Sequence, residues 1–284
     1  MGLFKIAAFI TLSTITSSAF AAVFTFTAIP DENESQLRTR FEKVALYLEK
    51  ELGIEVNYVP VKSYSAAVTA FRNNQVQLAW FGGLSGVQAR RLVPGSDAIA
   101  QGNEDQFFQS YFIAHESAEV LSSDSFPNLN GLTFTFGSKG STSGRLMPQF
   151  YIERNLGKKT KDVFKRIGFS GDHSRTITQV EAGAYQVGAV NYKVWETAVE
   201  NGTVDTNKVK VIWQSPTYPD YQWTVRAGVD ETFGEGFKER LTQTLLNMND
   251  PDLLASFPRS SFVPADNLDY EPIENVAKAI GLID

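Results

Sequence analysis

The sequence contains no cysteine and only two histidines among its 284 residues. Without cysteine there is no disulfide framework, no thiolate metal site and no lipidated cysteine to tether an exported chain. A metal site would have to be built from carboxylates, and no group of acidic residues has the spacing of metal ligands. We therefore expect neither a metal nor a cofactor.

The sequence also lacks any block of basic residues. Its 26 lysines and arginines are outnumbered by 32 acidic residues, and no helix is rich in arginine. This composition argues against binding to nucleic acid or to an anionic membrane surface. An anion could still be bound, but by local hydrogen-bond donors and not by the overall charge.

The first 21 residues have the pattern of a secretory signal peptide. Lys5 precedes a short apolar run, 6–12, and Ala19-Phe20-Ala21 is a small-residue cleavage motif. The run is too short to span a bilayer. Cleavage would leave about 260 residues beginning at Ala22, and removing Lys5 changes the formal charge from -6 to -7 (25 basic, 32 acidic). We expect a periplasmic, untethered and monomeric protein.

Beyond residue 22 the hydrophobic pattern alternates between strand and helix, which predicts an α/β fold. The same alternation restarts near residue 130, so two lobes of similar size are expected. Residues 22–115 are predicted to begin lobe 1, 116–218 to form lobe 2, and 219–284 to cross back and complete lobe 1. Gln109 to His115 and Gln222 to Arg226 are the predicted crossing strands.

The segment from Gly137 to Gly144, Gly-Ser-Lys-Gly-Ser-Thr-Ser-Gly, follows a predicted strand and opens a predicted helix, 143–155. Glycines let the backbone approach a ligand closely, and a helix start offers free amides and hydroxyl donors. The segment is therefore either an anion cradle built on Ser141, Thr142 and Ser143 or an ordinary helix cap. It has neither the lysine spacing of a P-loop nor the central serine of a nucleophile elbow.

Two other predicted helix starts carry possible donors, Tyr64 after Ser63 and His173 after Asp172. Each has an alternative interpretation, packing for the tyrosine and a structural or surface role for the histidine. Aromatic residues at strand ends, Phe108, Tyr221 and Trp223, are candidates to wall a cleft and exclude water, which strengthens hydrogen bonds to a trapped anion.

Six stretches together resemble the periplasmic phosphate, phosphite and phosphonate-binding proteins of ABC transporters. They are Ile29-Pro30-Asp31-Glu32, Tyr64-Ser65-Ala66-Ala67-Val68, 78–83 (LAWFGG), 141–148 (STSGRLMP), Ser170-Gly171-Asp172-His173 and 211–216 (VIWQSP). The resemblance implies a type II periplasmic-binding fold, two α/β lobes joined by two crossing strands. It also implies that Ser141, Thr142 and Ser143 hold phosphonyl oxygens, with Tyr64 and His173 completing the cage. A membrane permease and an ATPase are the implied partners.

The sequence departs from the aminoalkylphosphonate binders of this family, which carry acidic residues for the ligand's ammonium group. Lys193 stands near one such position, and whether it or Asp220 faces the ligand is left open by the sequence. We therefore expect aromatic residues, Phe108 and Tyr221 among them, at the fourth vertex of the tetrahedron. This arrangement favours phosphite or methylphosphonate, because a P–OH there would lose a hydrogen bond.

Several alternatives stay open at this stage. The ligand could be another oxyanion, such as selenate or phosphate, or an aminoalkylphosphonate. An organic-acid or amino-acid binder would need an arginine, for which Arg145 is the candidate beside the cradle. A hydrolase using a hydroxyl of 141–143 with His173 as base would need a group orienting the histidine, and Asp172 is poorly placed. We expect a binding protein and not an enzyme. A sensor ectodomain is disfavoured, since no membrane helix is predicted after the signal.

Overall fold

A computed structural model describes residues 22–284, so the predicted signal peptide lies outside the described residues. The described residues form eleven strands: β1 Phe24–Ala28, β2 Val56–Tyr58, β3 Leu78–Phe81, β4 Asp97–Gly102, β5 Ser110–His115, β6 Thr133–Phe136, β7 Arg166–Phe169, β8 Val187–Asn191, β9 Val209–Gln214, β10 Gln222–Val225 and β11 Phe262–Pro264. They divide into two sheets, and helices pack on both. The predicted α/β architecture is therefore confirmed.

The α-helices of residues 22–284 follow the apolar periodicity of the sequence. They are α1 Glu34–Leu52, α2 Tyr64–Arg72, α3 Gly83–Leu92, α4 Met147–Leu156, α5 Thr160–Val163, α6 His173–Glu181, α7 Tyr192–Glu200, α8 Val229–Phe233, α9 Phe237–Leu246, α10 Pro251–Ser256 and α11 Glu271–Ala279. None of these described helices is both long enough and apolar enough to cross a membrane.

The first sheet has the strand order β11-β4-β10-β3-β1-β2, and the second has the order β7-β6-β8-β5-β9. β1 pairs in parallel with β2 and β3, as expected of strands joined by helices. β10 is antiparallel to β3 and β4, because the chain enters it on its return from the second lobe. Both sheets are thus mixed: β10 and β11 run against the other strands of the first sheet, and β5 runs against those of the second.

The chain crosses between the lobes at Phe108 and Tyr218. Their backbones pair in an antiparallel bridge, with N–O distances of 2.9 and 3.0 Å. The predicted division at residue 115 is therefore displaced. Ser110 to His115 pairs with β8 and β9 in the second sheet, because this buried strand finds partners on both edges there.

Glycines separate two helices in the last part of the chain. α8 and α9 are not continuous, because Gly234 and Gly236 between them adopt φ values of 97° and 74° that end a right-handed helix. The segment 257–272 contains a short strand, β11. β11 pairs with β4 at the edge of the first sheet.

Candidate ligand-binding site

The loop between β6 and α4 places the three predicted hydroxyl residues at the interface of the lobes. Oγ of Ser141 accepts a hydrogen bond from the Gly144 amide at 2.9 Å, so this serine is a helix cap. A π-turn, Thr142–Leu146, follows before α4 begins. The α-helix cannot start at Ser143 as predicted, because Pro148 has no N–H to donate to the Gly144 carbonyl. That carbonyl instead accepts from the Gly137 amide at 2.8 Å.

Thr142 joins the two lobes. Its Oγ1 accepts a hydrogen bond from the amide of Leu84, in the first turn of α3, at 3.0 Å. A second bond across the cleft runs from the His173 amide to the carbonyl of Asp31 at 2.9 Å. The described structure therefore has its lobes closed on one another.

Tyr64 is the first residue of α2, and Ser63 caps that helix by accepting from the Ala66 amide at 3.1 Å. The tyrosine is buried against the loop of the opposite lobe. A Cβ atom at Gly140 would lie 3.0 Å from the Cβ of Tyr64, so the approach of the lobes here requires glycine. The Tyr64 phenol thus reaches the hydroxyl residues from lobe 1.

His173 begins α6, which Asp172 caps by accepting from the Arg175 amide at 2.7 Å. Nδ1 of the fully buried imidazole accepts from the Asn191 amide at 3.2 Å. Burial lowers the pKa of His173 to about 3, so the ring is neutral. Because Nδ1 is an acceptor, the hydrogen of this neutral ring is on Nε2, which becomes a donor.

Three of the predicted donors are buried without a partner and lie around the same residues: Tyr64 and Ser143 both lie close to Asp220, and His173 and Ser141 both lie beside Gly144. Tyr64 Oη, Ser143 Oγ and His173 Nε2 each make no hydrogen bond within the protein. They come from three elements and both lobes, and buried polar groups are normally paired. We call the space they share with the hydroxyls of Ser141 and Thr142 the chamber. Its unpaired donors suit a small ligand rich in acceptor oxygens.

Two carboxyl groups also lie beside the chamber, and only that of Asp220 was a candidate from the sequence. Oδ1 of Asp220 accepts from the Gly83 amide at 2.8 Å, while Oδ2 of Asp220 and Oδ1 of Asp31 have no partner. Burial raises the pKa of Asp220 to about 7, although the Thr142 hydroxyl and the Gly83 amide oppose the shift. Burial and the neighbouring Glu32 raise the pKa of Asp31 to about 6.

The question left open between Asp220 and Lys193 has a geometric answer. Lys193 points away from the chamber, where its Nζ lies 3.4 Å from a carboxylate oxygen of Glu196 and lines an outer cleft of about 550 Å³. Asp31 and Tyr221 also line that cleft, and so they separate it from the chamber. A sequence signal for Asp220 was its position between aromatic residues directly after a crossing point.

Aromatic rings close one side of this region. The Phe108 and Tyr221 ring centroids are 5.3 Å apart, and Tyr221 stacks on Trp80 at 5.6 Å. The Tyr221 hydroxyl accepts from Nδ2 of Asn191 at 3.1 Å, which fixes the ring. Trp223, by contrast, lies in the core of lobe 1, where it packs on Phe26 and does not wall the cleft.

The residues that an organic-acid binder or a hydrolase would require do not face the chamber. The Arg145 guanidinium lies over the Phe136 ring at 4.6 Å and bonds to Gln149, so it does not reach the chamber. Asp172 is occupied as a cap and does not orient the His173 ring, whose Nδ1 is bonded to a backbone amide. Among residues 22–284, no group of three or more potential metal ligands occurs.

Comparison with known proteins gives a consistent result. A family model described as "ABC transporter, phosphonate, periplasmic substrate-binding protein" matches residues 26–270. A probable ABC transporter phosphite-binding protein, PhnD1, from Prochlorococcus marinus is 39% identical over 265 residues, 90% of this chain and 89% of that protein. The phosphonates-binding periplasmic protein of Escherichia coli is 25% identical over 277 residues, 94% and 80% of the two chains.

The solved structure of Prochlorococcus marinus PhnD1 in complex with methylphosphonate superimposes with a TM-score of 0.88 over 92% of this chain and 99% of that one. The type II periplasmic-binding fold is thereby confirmed. The relatives are described as substrate-binding proteins, which also confirms the prediction of a binding protein and not an enzyme.

Proposed function

This chain belongs to the periplasmic substrate-binding proteins of phosphonate ABC transporters, and from that premise we propose that it captures phosphite or methylphosphonate in the chamber between its lobes. The observation that carries the proposal is the set of three unpaired, buried donors, Tyr64 Oη, Ser143 Oγ and His173 Nε2. A tetrahedral anion with three oxygens supplies the missing acceptors to all of them. Such charge-assisted hydrogen bonds are stronger than neutral ones.

Each predicted binding residue has a part in this arrangement. Ser141 and Thr142 use an oxygen lone pair to accept from backbone amides, which leaves their hydroxyl hydrogens free to donate. Ser141 lies near the Tyr64 phenol, whose pKa burial raises well above its ordinary value, so the phenol keeps its hydrogen for donation. The ligand would thus be held by neutral donors from both lobes, and its capture would favour the closed arrangement.

The aromatic wall supports a ligand with an apolar fourth substituent. Phe108 and Tyr221 would face a P–H or a methyl group, whereas a P–OH there would be left unpaired at a cost of about 1–3 kcal/mol. The names of the relatives, a phosphite-binding protein and a structure with methylphosphonate, point to the same ligands. Phosphate, selenate and aminoalkylphosphonates are the alternatives. For an aminoalkylphosphonate, the carboxyl groups of Asp31 and Asp220 are the groups beside the chamber that could accept its ammonium, so the test below includes one.

The wider setting follows from the family, whose members supply ligands to the membrane components of an ABC importer. We further propose that residues 1–21 direct export to the periplasm and are removed. The mature protein would act as a monomer and would not bind nucleic acid.

The direct test is a set of melting temperatures of the mature protein with phosphite, methylphosphonate, 2-aminoethylphosphonate, phosphate, sulfate and selenate. A ligand at 100 times its Kd stabilises the folded state by about 2.7 kcal/mol. We expect phosphite and methylphosphonate to raise the melting temperature most. If 2-aminoethylphosphonate has the largest effect, the specificity is wrong. If none of the six has any effect, the chamber does not bind oxyanions.

A further inference from the structure

The chamber proposed to bind an anion has two buried carboxyl groups beside it. Asp31 and Asp220 are 3% and 1% exposed, and each has one oxygen without a partner. Two ionised carboxylates next to a doubly charged ligand would repel it strongly in a site from which water is excluded. The arrangement is favourable only if a proton lies between the ligand and one of the carboxyl groups.

The two carboxyl groups are not equivalent. The Tyr221 hydroxyl accepts from Asn191 at 3.1 Å and lies beside Asp31, the rise of whose pKa is opposed by Arg40 and by this hydroxyl. For Asp220, the Gly83 amide donates to Oδ1 at 2.8 Å, the Thr142 and Ser143 hydroxyls lie beside the carboxyl group and oppose the rise of its pKa, and Oδ2 makes no hydrogen bond. Oδ2 of Asp220 is therefore an unpaired acceptor among the hydroxyl residues of the chamber, whereas Asp31 also lines the outer cleft.

In the described part of the chain, the two buried arginines beside this region are already paired and so do not neutralise Asp220. Arg40 is held by Glu32 at 2.7 Å, and Arg259 forms two bonds to Asp105 at 2.7 and 2.8 Å. The His173 ring is neutral because of its burial. The other titratable groups close to the two carboxyl groups are acids and phenols, apart from the paired Arg40. Those around Asp31 are Glu32, Arg40, Tyr58, Tyr64 and Tyr221. Those around Asp220 are Asp105, Tyr64, Tyr218, Tyr221 and Tyr270.

We propose that the chamber binds its ligand as the singly protonated monoanion, whose remaining P–OH donates to Oδ2 of Asp220. The inference rests on the proposed function and adds the protonation state of the ligand. The two ionised oxygens accept from the donors of Tyr64, Ser143 and His173, and the third oxygen is the donor to Asp220. Sulfate has no proton to donate at neutral pH and would leave Oδ2 facing a charged oxygen. Asp220 is thus a specificity-determining residue against fully ionised oxyanions.

The proton balance gives a measurable consequence. Above about pH 8 the free ligand is a dianion and the free Asp220 carboxyl, with its pKa raised to about 7 by burial, is ionised. The complex holds one proton between them, so binding takes one proton from solution. The Kd should then rise about tenfold for each further pH unit.

The test is titration calorimetry of the mature protein with phosphite and with methylphosphonate. Heats measured at pH 8 in two buffers of different ionisation enthalpy give the number of protons taken up, and Kd is followed from pH 7 to 9. We expect about one proton per ligand. In Asp220→Asn the amide donates where the carboxylate accepted, so uptake should vanish, the Kd should become independent of pH, and sulfate affinity should rise at least about tenfold.

Asp31→Asn is the matched variant, and it should keep the uptake of one proton because Asp31 lies beside Tyr221 and the outer cleft and not among the hydroxyl residues of the chamber. The melting temperatures of both unliganded variants establish that they fold. If Asp220→Asn does not fold, proton uptake by the wild-type protein alone tests the inference. Binding of phosphite with no proton uptake overturns the inference and leaves the proposed function intact. Loss of uptake in Asp31→Asn but not in Asp220→Asn overturns the assignment to Asp220. Failure of every phosphorus oxyanion to bind at any pH is instead a failure of the proposed function.

Discussion

The crossing point and the chamber are neighbouring regions that differ in whether their buried polar groups have hydrogen-bond partners. At the crossing point, Asp105 accepts two bonds from Arg259 and one from the Gly102 amide at 3.0 Å. Nη1 of Arg259 donates to the carbonyl of Phe257 at 2.7 Å. In the chamber, three donors have no partner at all. The two regions touch, since the Asp220 amide donates to the carbonyl of Asp105 at 3.0 Å.

The contrast separates groups that stabilise the fold from groups reserved for a ligand. A buried donor without a partner costs about 1–3 kcal/mol, a cost that the protein bears until a ligand supplies the acceptor. The satisfied cluster beside the chamber holds the aromatic wall in place, because the Arg259 guanidinium lies 5.6 Å from both the Phe108 and Tyr221 rings. Substitutions in the first region should therefore change folding, and those in the second should change binding.

The largest effect is expected from Arg259→Met. Removing one partner of a buried ion pair leaves the Asp105 carboxylate uncompensated, and we expect a loss of about 3–5 kcal/mol in the free energy of unfolding, measured by denaturant titration. Arg91→Met is the control, because its ion pair with Glu274, at 2.9 Å, is partly exposed. That control should cost no more than about 1 kcal/mol. Equal effects of the two substitutions would contradict the stabilising role of the buried cluster.

An intermediate effect is expected from Ser143→Ala. Ser143 Oγ has no partner in the protein, so the unfolding free energy of the unliganded variant should be unchanged or higher. The affinity for phosphite should fall about 10- to 150-fold, the equivalent of about 1.5–3 kcal/mol for a hydrogen bond to a charged group. Calorimetry and denaturant titration measure the two quantities separately.

Ser110→Ala is the matched control for Ser143→Ala. Ser110 Oγ donates to the Ser143 carbonyl at 2.8 Å and lies 2.6 Å from the Tyr218 hydroxyl, so it is fully partnered. Its loss should lower the unfolding free energy by about 1–3 kcal/mol. A result in which Ser143→Ala destabilises the unliganded protein as much as Ser110→Ala would show that Ser143 is not reserved for a ligand.

The smallest effect is the pH dependence that His173 contributes to stability. Its folded pKa, lowered by burial to about 3, is below the ordinary value, so its contribution is present above about pH 6.5 and is lost as the pH falls toward 3. Each pH unit in that window removes at most about 1.4 kcal/mol. Between pH 7 and 5, the unliganded wild type should lose more unfolding free energy than His173→Asn. Identical pH profiles would mean that the ring titrates normally in the folded state.

The alternation of strands and helices was predictable from the sequence because most core strands and helices have a regular apolar pattern, which β4, with the sequence DAIAQG, lacks. Tyr64 and His173 could be singled out because helix starts carry free donors wherever they occur. The position of the lobe crossing could not be predicted. Ser110 to His115 is an apolar strand whose sequence is compatible with either sheet. Only its pairing with β8 and β9 assigns it to the second sheet.

Which polar atoms of the chamber have hydrogen-bond partners also could not be predicted from the sequence. Ser141 and Ser143 are two residues apart and chemically identical, yet one caps a helix and the other has a free hydroxyl. The difference arises from the π-turn, which depends on Pro148 and on the bond between Gly137 and Gly144. Asp220 was ambiguous for a similar reason, since its side-chain direction is set by the Gly83 amide of a distant helix.

The two hydrogen bonds by which the Leu84 and His173 amides join the lobes have a further consequence for the kinetics of the molecule. The amide hydrogens of Leu84 and His173 are bonded to Thr142 and Asp31 only while the lobes are together. Their exchange with deuterated solvent is therefore governed by how often the lobes separate, whereas the Asn191 amide, bonded within lobe 2, follows the opening of that lobe alone. The exchange rates of the Leu84 and His173 amides, compared with that of Asn191, thus measure how long the protein stays closed, without any added label.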